Sequence, residues 1–102
     1  MAKPPTVAVN QAELDDLFTA LGIWGKISDG RLSDDYITGA RRPSRDYGDG
    51  VSDIVRHHNS RGYHVATTHR ITLAGGGIPH WDAKDIRIGD VVIYAMPKGT
   101  IT

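Results

Sequence analysis

The spacing of apolar residues near the start of the chain predicts an amphipathic helix over residues 11–22. Its apolar positions recur at i, i+3, i+4 and i+7 and are Leu14, Leu17, Phe18 and Leu21. Asn10 is a favourable N-cap, with Glu13 three residues later as in a capping box, and Gly22 can end the helix in the left-handed conformation. We expect the apolar stripe of this helix to face the core.

The second half of the chain has the pattern of β-strands. Residues 51–58 and 62–73 are rich in β-branched side chains and are separated by the turn-like residues 59–62. Residues 85–97 add an alternating segment, a Gly-Asp turn and a last apolar strand. We therefore expect a single α+β domain over residues 1–102, in which the N-terminal amphipathic helix packs on a small antiparallel sheet of three or four strands.

The remaining segments are predicted to lack strands. Residues 1–9 contain two prolines and should form an extended lead-in, and residues 40–50, rich in Gly, Pro, Ser and Asp, should form a surface loop. Ser33 can cap a short helical turn that ends at Gly39. Asp82 can cap a second short turn in the same way.

Charge is balanced over the whole chain but not along it. The 12 basic and 12 acidic residues give a formal net charge of zero, which excludes a global field that attracts nucleic acid. From residue 54 to residue 81, however, there is no carboxylate, whereas all five histidines and Arg56, Arg61 and Arg70 lie within this span. We call this span the 54–81 surface and expect it to carry the function.

Cysteine usage and hydropathy limit the setting of the protein. The chain has no cysteine, which excludes disulfides and thiolate metal sites and favours a reducing compartment. It has no apolar run of the length of a signal peptide or a membrane span. We expect a soluble, cytoplasmic protein that does not bind membranes.

The hairpin between residues 51 and 73 offers one candidate for catalysis. If residues whose numbers sum to 121 pair across it, His57 lies beside His64, with Asp53, Thr68 and Arg70 on the same face. Histidine titrates near neutrality and arginine can hold a phosphate through two donors. This set would suit a metal-independent ribonuclease with His57, His64 and Arg70 as its catalytic residues. A three-residue loop would shift the register and change which of these residues share a face. Histidines on strands also often have no chemical role.

Binding without catalysis is the preferred interpretation of the 54–81 surface. Its candidate binding residues are Arg56, Arg61, His69, Arg70, His80 and Trp81. The partner would be a host protein, a nucleic acid or another phosphate-bearing ligand, with no cofactor required. An oligomerising structural subunit is a third possibility.

Metal binding is not predicted from the sequence. A zinc site of His64, His80 and Asp82 would need the triple glycine of residues 75–77 to bring its ligands together. The chain also lacks the sequence motifs of P-loop proteins, zinc metalloproteases and α/β-hydrolases.

The C-terminal third resembles a group of short bacterial and phage proteins without an assigned activity. The resemblance consists of a V-A-x-x-H-R strand followed by a D-x-K segment, here at Val65, Ala66, His69, Arg70, Asp82 and Lys84. It implies an origin rather than an activity: a phage-encoded accessory protein that acts on a host partner.

Overall fold

One mixed sheet of seven strands, with two short helices on one face, makes up residues 3–37 and 41–97, the part of the chain that the computed structural model describes. The elements are β1 (Thr6–Val9), α1 (Gln11–Ala20), α2 (Ile23–Ser28), β2 (Asp35–Tyr36), β3 (Arg42–Pro43), β4 (Val51–His58), β5 (His64–Thr72), β6 (His80–Ile88) and β7 (Val91–Ala95). The sheet order is β1-β7-β6-β5-β4-β2, and β3 pairs with the start of β4 on the same edge as β2. Strand β1 runs parallel to β7, and the other pairs are antiparallel.

The predicted antiparallel sheet of three or four strands is therefore wrong. Strand β1 lies in the predicted lead-in, where it satisfies the free backbone edge of β7 and adds a parallel pair. Strands β2 and β3 lie in the predicted helical turn after Ser33 and in the predicted loop, and each has only two residues. Strands β1 and β2 pair with strands that lie far away in sequence, and β3 has only two residues, so the three segments carry little strand pattern of their own. These predictions also cover residues 1–2, 39 and 40, which lie outside the described residues.

Helix α1 begins where the sequence predicts. Asn10 and Glu13 form the capping box, with the Glu13 N–H donating to Asn10 Oδ1 at 2.8 Å and the Asn10 N–H donating to Glu13 Oε1 at 3.1 Å. Gly22 adopts the left-handed conformation at φ 66°, but α2 follows it directly instead of a turn. Neither helix within residues 3–37 and 41–97 is long and apolar enough to cross a membrane.

The core lies between the two helices and one face of β5 and β6. Leu14 and Phe18 of α1 are fully buried there, whereas Leu21, predicted to share their stripe, is 42% exposed. The helices and the segment after α2 pack on strand residues in a cluster of Leu14, Phe18, Ile23, Ile27, Leu32, Ala66, Ala83 and Ile86. Burial of each large side chain stabilises the fold by about 1.5–3 kcal/mol. This packing leaves the opposite face of β5 and β6 free of helices.

The β4–β5 hairpin does not adopt the predicted register. His57 pairs with Ala66, and an irregularity after His57 then places His58 opposite His64. The turn occupies more of the chain than expected because the Asn59 side chain accepts hydrogen bonds from the N–H groups of Arg61 and Tyr63. The prediction that His57 pairs with His64 is therefore wrong.

Strand β6 contains the segment that was predicted to be a capped turn. Asp82 lies inside the strand opposite His69, and a bulge leaves Lys84 without a partner on β5. A bulge of this kind re-aims the side chain of the extra residue. Asp82 and Lys84 consequently belong to the sheet surface and contribute to the site described below.

Candidate metal centre

Two groups of side chains with the same chemistry lie on opposite faces of β4 and β5. Each consists of an aspartate, a histidine and a hydroxyl residue. The buried group, on the helix side of the sheet, is Asp34, His57 and Thr68. The cleft group, on the other face, is Asp82, His69 and Ser52. Because side chains alternate between the faces of a strand, Thr68 and His69 point to opposite sides of β5.

The buried group is closed to solvent at its histidine. His57 Nδ1 lies 3.0 Å from the Ser33 carbonyl oxygen and 3.1 Å from Asp34 Oδ1, and His57 Nε2 lies 2.7 Å from Thr68 Oγ1. His57 and Thr68 are both 0% exposed. Burial lowers the pKa of His57, against the opposing effects of the Ser33 carbonyl and the Asp34 carboxylate. No substrate can reach this histidine in the folded structure.

Arg70 completes the buried group. Its guanidinium donates to Tyr36 Oη at 2.7 Å and to Asp34 Oδ2 at 3.3 Å, and it lies 4.2 Å from the centre of the Trp81 ring. Arg70 is only 5% exposed. Trp81 in turn packs edge-on against Trp24 at 5.2 Å. Arg70 and Trp81, both predicted to bind a partner, thus hold the interior together by charge pairing and cation–π contact.

The predicted ribonuclease set is not assembled. His64 is separated from His57 by the register and lies next to His58, with ring centres 5.3 Å apart. Its ring contacts Thr67 Oγ1 at 2.7 Å and the Arg87 guanidinium. Burial and the Arg87 charge lower the pKa of His64. The histidines therefore serve different parts of the molecule.

The cleft group converges on one carboxylate oxygen. His69 Nδ1 lies 3.1 Å from Asp82 Oδ1, and His80 Nε2 lies 2.9 Å from the same oxygen. Ser52 Oγ lies 2.5 Å from His69 Nε2. His69 and Asp82 are direct cross-strand partners, and His80 lies two residues before Asp82, so strand pairing alone brings these side chains to one face.

A cleft of about 630 Å³ opens over this group. Its other charged residues are Asp46 and Lys84. Its apolar lining consists of Ile71, Ala95, Met96 and Pro97. The volume lies within the range of small-molecule sites.

The loop between β3 and β4 forms one side of the cleft. Ser44 Oγ accepts hydrogen bonds from the N–H groups of Asp46 and Tyr47, which turns both residues toward the sheet. Gly50 anchors the loop because a Cβ atom there would lie 3.0 Å from Tyr47 and 3.1 Å from Ile71. This close approach favours glycine and holds Asp46 and Tyr47 beside the candidate site.

The geometry of His69, His80 and Asp82 is compatible with binding of a metal ion. One ligand atom from each lies within 4.8 Å of the others, and no other such group occurs in residues 3–37 and 41–97. Two nitrogens and one oxygen suit zinc and related divalent transition metals. The side chains are 21%, 35% and 16% exposed, so the cleft side of an ion would stay open to a ligand or water.

Sequence reasoning predicted no metal and considered His80 and Asp82 only in a zinc site with His64, whereas the structure groups them with His69. His69 and His80 were predicted as binding residues. Sequence reasoning missed Ser52, Asp46 and Tyr47. The signal that the sequence contained was the H-x-D spacing of His80 and Asp82, which places both side chains on one face of a strand. The exposed Arg56 and Arg61 lie outside the lining of the cleft.

No protein-family model matches the chain, and no curated protein and no solved structure matches it. The resemblance to short bacterial and phage proteins stays a prediction. The chemistry of the cleft is therefore the basis for assigning a function.

Proposed function

We propose that the protein binds a divalent transition-metal ion through His69 Nδ1, His80 Nε2 and Asp82 Oδ1. The observation that carries this proposal is the convergence of two imidazole nitrogens on one carboxylate oxygen in an open cleft. Two ligands about 2.1 Å from a tetrahedral ion are about 3.4 Å apart. The observed separations of 3.1 and 2.9 Å are close to that value, so small side-chain shifts would admit the ion.

Ser52 supports this assignment because it contacts the other ring nitrogen of His69. With its Nε2–H donating to Ser52 Oγ, His69 would present the lone pair of Nδ1 to the ion. Ligating histidines generally use their other nitrogen in this way, which fixes both the tautomer and the ring orientation.

The proposal assigns the binding function to the cleft and removes it from part of the 54–81 surface. His69 and His80 remain binding residues, whereas Arg70 and Trp81 are assigned to the interior. An interaction with a host protein or nucleic acid, a phage origin and oligomerisation stay predictions. The exposed Arg56 and Arg61 are the residues on which a second contact with such a partner would depend.

Calorimetric titration with zinc tests the proposal. We expect wild-type protein to bind one equivalent, and His69→Ala or His80→Ala to weaken binding at least about tenfold. His58→Ala is the matched control, because His58 also contacts an aspartate, Asp35 at 2.6 Å, but lies outside the cleft lining. Circular dichroism establishes that each variant is folded. Equal zinc affinity in all four proteins would refute the metal centre.

A serine hydrolase is the second candidate because Ser52, His69 and Asp82 also have the connectivity of a catalytic triad. Two observations favour the metal. His80 shares the Asp82 oxygen, and Ser52 lies within a strand paired on both sides, where the ladder engages the N–H groups that an oxyanion hole needs. A fluorophosphonate probe separates the candidates: labelling that Ser52→Ala abolishes and a chelator leaves intact would favour the hydrolase.

A further inference from the structure

The charges in the cleft do not balance once a divalent cation is bound. Neutral histidine ligands add no charge, and Asp82 and Asp46 offset the two positive charges of the ion. Among the charged residues that line the cleft, Lys84 then remains as an uncompensated positive charge. Within the described ranges, no carboxylate lies in ion-pair distance of Lys84. A cleft with this excess charge favours an anion.

The position of Lys84 follows from the β6 bulge. The bulge places Lys84 beside, rather than within, the ladder that pairs Asp85 with Thr67 and Ala83 with Thr68. Ala83 points into the core and is 0% exposed, while Lys84 is exposed and lines the cleft with Asp82. An exposed ammonium and the open side of the ion therefore border the same space.

Much of the remaining lining of the cleft is apolar. It comprises Ile71 of β5 with the neighbouring Tyr47, and Ala95, Met96 and Pro97 at the end of β7. An inorganic anion would leave these residues in contact with water, whereas an organic anion would cover some of them. Small-molecule sites commonly combine a few polar groups with such an apolar lining.

We propose that the metal ion and Lys84 together hold the oxyanion of a small organic ligand, a phosphate ester or a carboxylate, whose apolar part lies against the apolar residues that line the cleft. This inference rests on the proposed metal centre. One oxyanion oxygen occupies the open position on the ion, and another accepts a hydrogen bond from Lys84 Nζ.

Phenyl phosphate, benzoate and benzyl alcohol test this inference in calorimetric titrations of protein loaded with one equivalent of zinc. We expect one of the two anions to bind, neutral benzyl alcohol to bind at least about tenfold more weakly, and chelated protein to lose the anion. The preferred anion identifies the source of the oxyanion as a phosphate or a carboxylate.

Substitution of Lys84 distinguishes this inference from the metal centre itself. Lys84→Gln should weaken anion binding about tenfold without weakening zinc binding, since Lys84 is not a ligand and the loss of its positive charge removes a repulsion toward the ion. Lys84→Arg should retain the anion. Lys26→Gln, on α2 and outside the cleft lining, is the matched control and should change neither affinity.

The outcomes separate the two proposals. If wild-type protein binds zinc but neither anion, or if Lys84→Gln binds the anion as tightly as Lys26→Gln, the oxyanion inference is wrong and the metal centre stands. Benzyl alcohol binding as tightly as the anions would also overturn it. If wild-type protein does not bind zinc, both proposals fail.

Discussion

The buried group and the cleft group contain the same three kinds of side chain in the same order of contacts, yet the structure gives them different roles. In each, the histidine uses Nδ1 toward an aspartate and Nε2 toward a hydroxyl. The two groups differ in a fourth residue, which also contacts the aspartate. In the buried group it is the cation Arg70, and in the cleft group it is a second imidazole, His80.

This fourth residue decides which carboxylate can accept a metal ion. Asp34 already has a guanidinium partner, so an added cation would have to displace Arg70 from its contacts with Tyr36 and Trp81. Asp82 has two imidazoles and an open side instead. An Asp–His–hydroxyl connectivity alone therefore does not indicate a function. The neighbouring charges and the access of solvent to the group are more informative.

The largest expected effect is on stability, and it should separate the two histidines. His57→Ala should lower the unfolding free energy by roughly 3 kcal/mol, because it leaves a cavity and removes the partner of Thr68 and Ser33. His69→Ala should cost under about 1 kcal/mol, since that side chain is partly exposed. Urea unfolding of metal-free protein measures both. Equal losses would mean that the two faces are equally buried.

The second effect is stabilisation by zinc, and it should separate the two aspartates. Zinc at about 100 times its dissociation constant should raise the unfolding free energy by about 2.7 kcal/mol. Asp82→Asn should abolish this increment, and Asp34→Asn should retain it despite a lower starting stability. Thermal unfolding with and without zinc provides the measurement. Loss of the increment in Asp34→Asn alone would place the metal in the buried group and reverse the comparison.

The sequence predicted those parts of the fold whose signal is local. The helix with its Asn10 cap, the strands 51–58 and 62–73 and the strand beginning at Val91 are confirmed, because periodicity and capping lie within each segment. Strands β1 and β2 were missed because they pair with edges of β7 and β4 that lie far away in sequence. Strand β3 pairs with the nearby start of β4, but its two residues are too few to show a strand pattern.

The site was partly predictable because strand alternation survives a shift of two residues. Asp53, His57, Thr68 and Arg70 do share a face, as predicted, although the register is displaced. The sequence could not indicate that this face carries the core. That depends on where the helices pack and on Asp34 and Tyr36, which reach over the face from β2 and the segment before it.

A third effect, smaller than the loss of a ligand, should come from the hydroxyl of the cleft group. Ser52→Ala should weaken zinc binding about tenfold, equivalent to about 1.4 kcal/mol, because His69 loses the partner that orients its ring. Ser52→Thr should restore much of the affinity. Thr68→Val, the equivalent change in the buried group, should leave zinc affinity unchanged. Competition with a chromophoric chelator can resolve these differences, and unchanged affinity in Ser52→Ala would remove Ser52 from the metal centre.

The smallest expected effect is the dependence of stability on pH, and it belongs to the buried group. Burial lowers the pKa of His57 below its ordinary value of 6.5, with Arg70 acting in the same direction and Asp34 against it. The unfolded chain therefore takes up a proton at a pH where folded His57 stays neutral, so the unfolding free energy should fall as the pH drops through about 6.5.

Urea unfolding of metal-free protein between pH 8 and about pH 5.5 tests the sign, and His57→Gln should have a shallower slope than wild-type protein. His64, whose pKa is also lowered by burial, accounts for part of the slope that remains. Because the comparison concerns slopes, a lower overall stability of His57→Gln does not obscure it. An unchanged slope in that variant, or greater stability at the acidic end, would show that His57 is not held neutral by its burial.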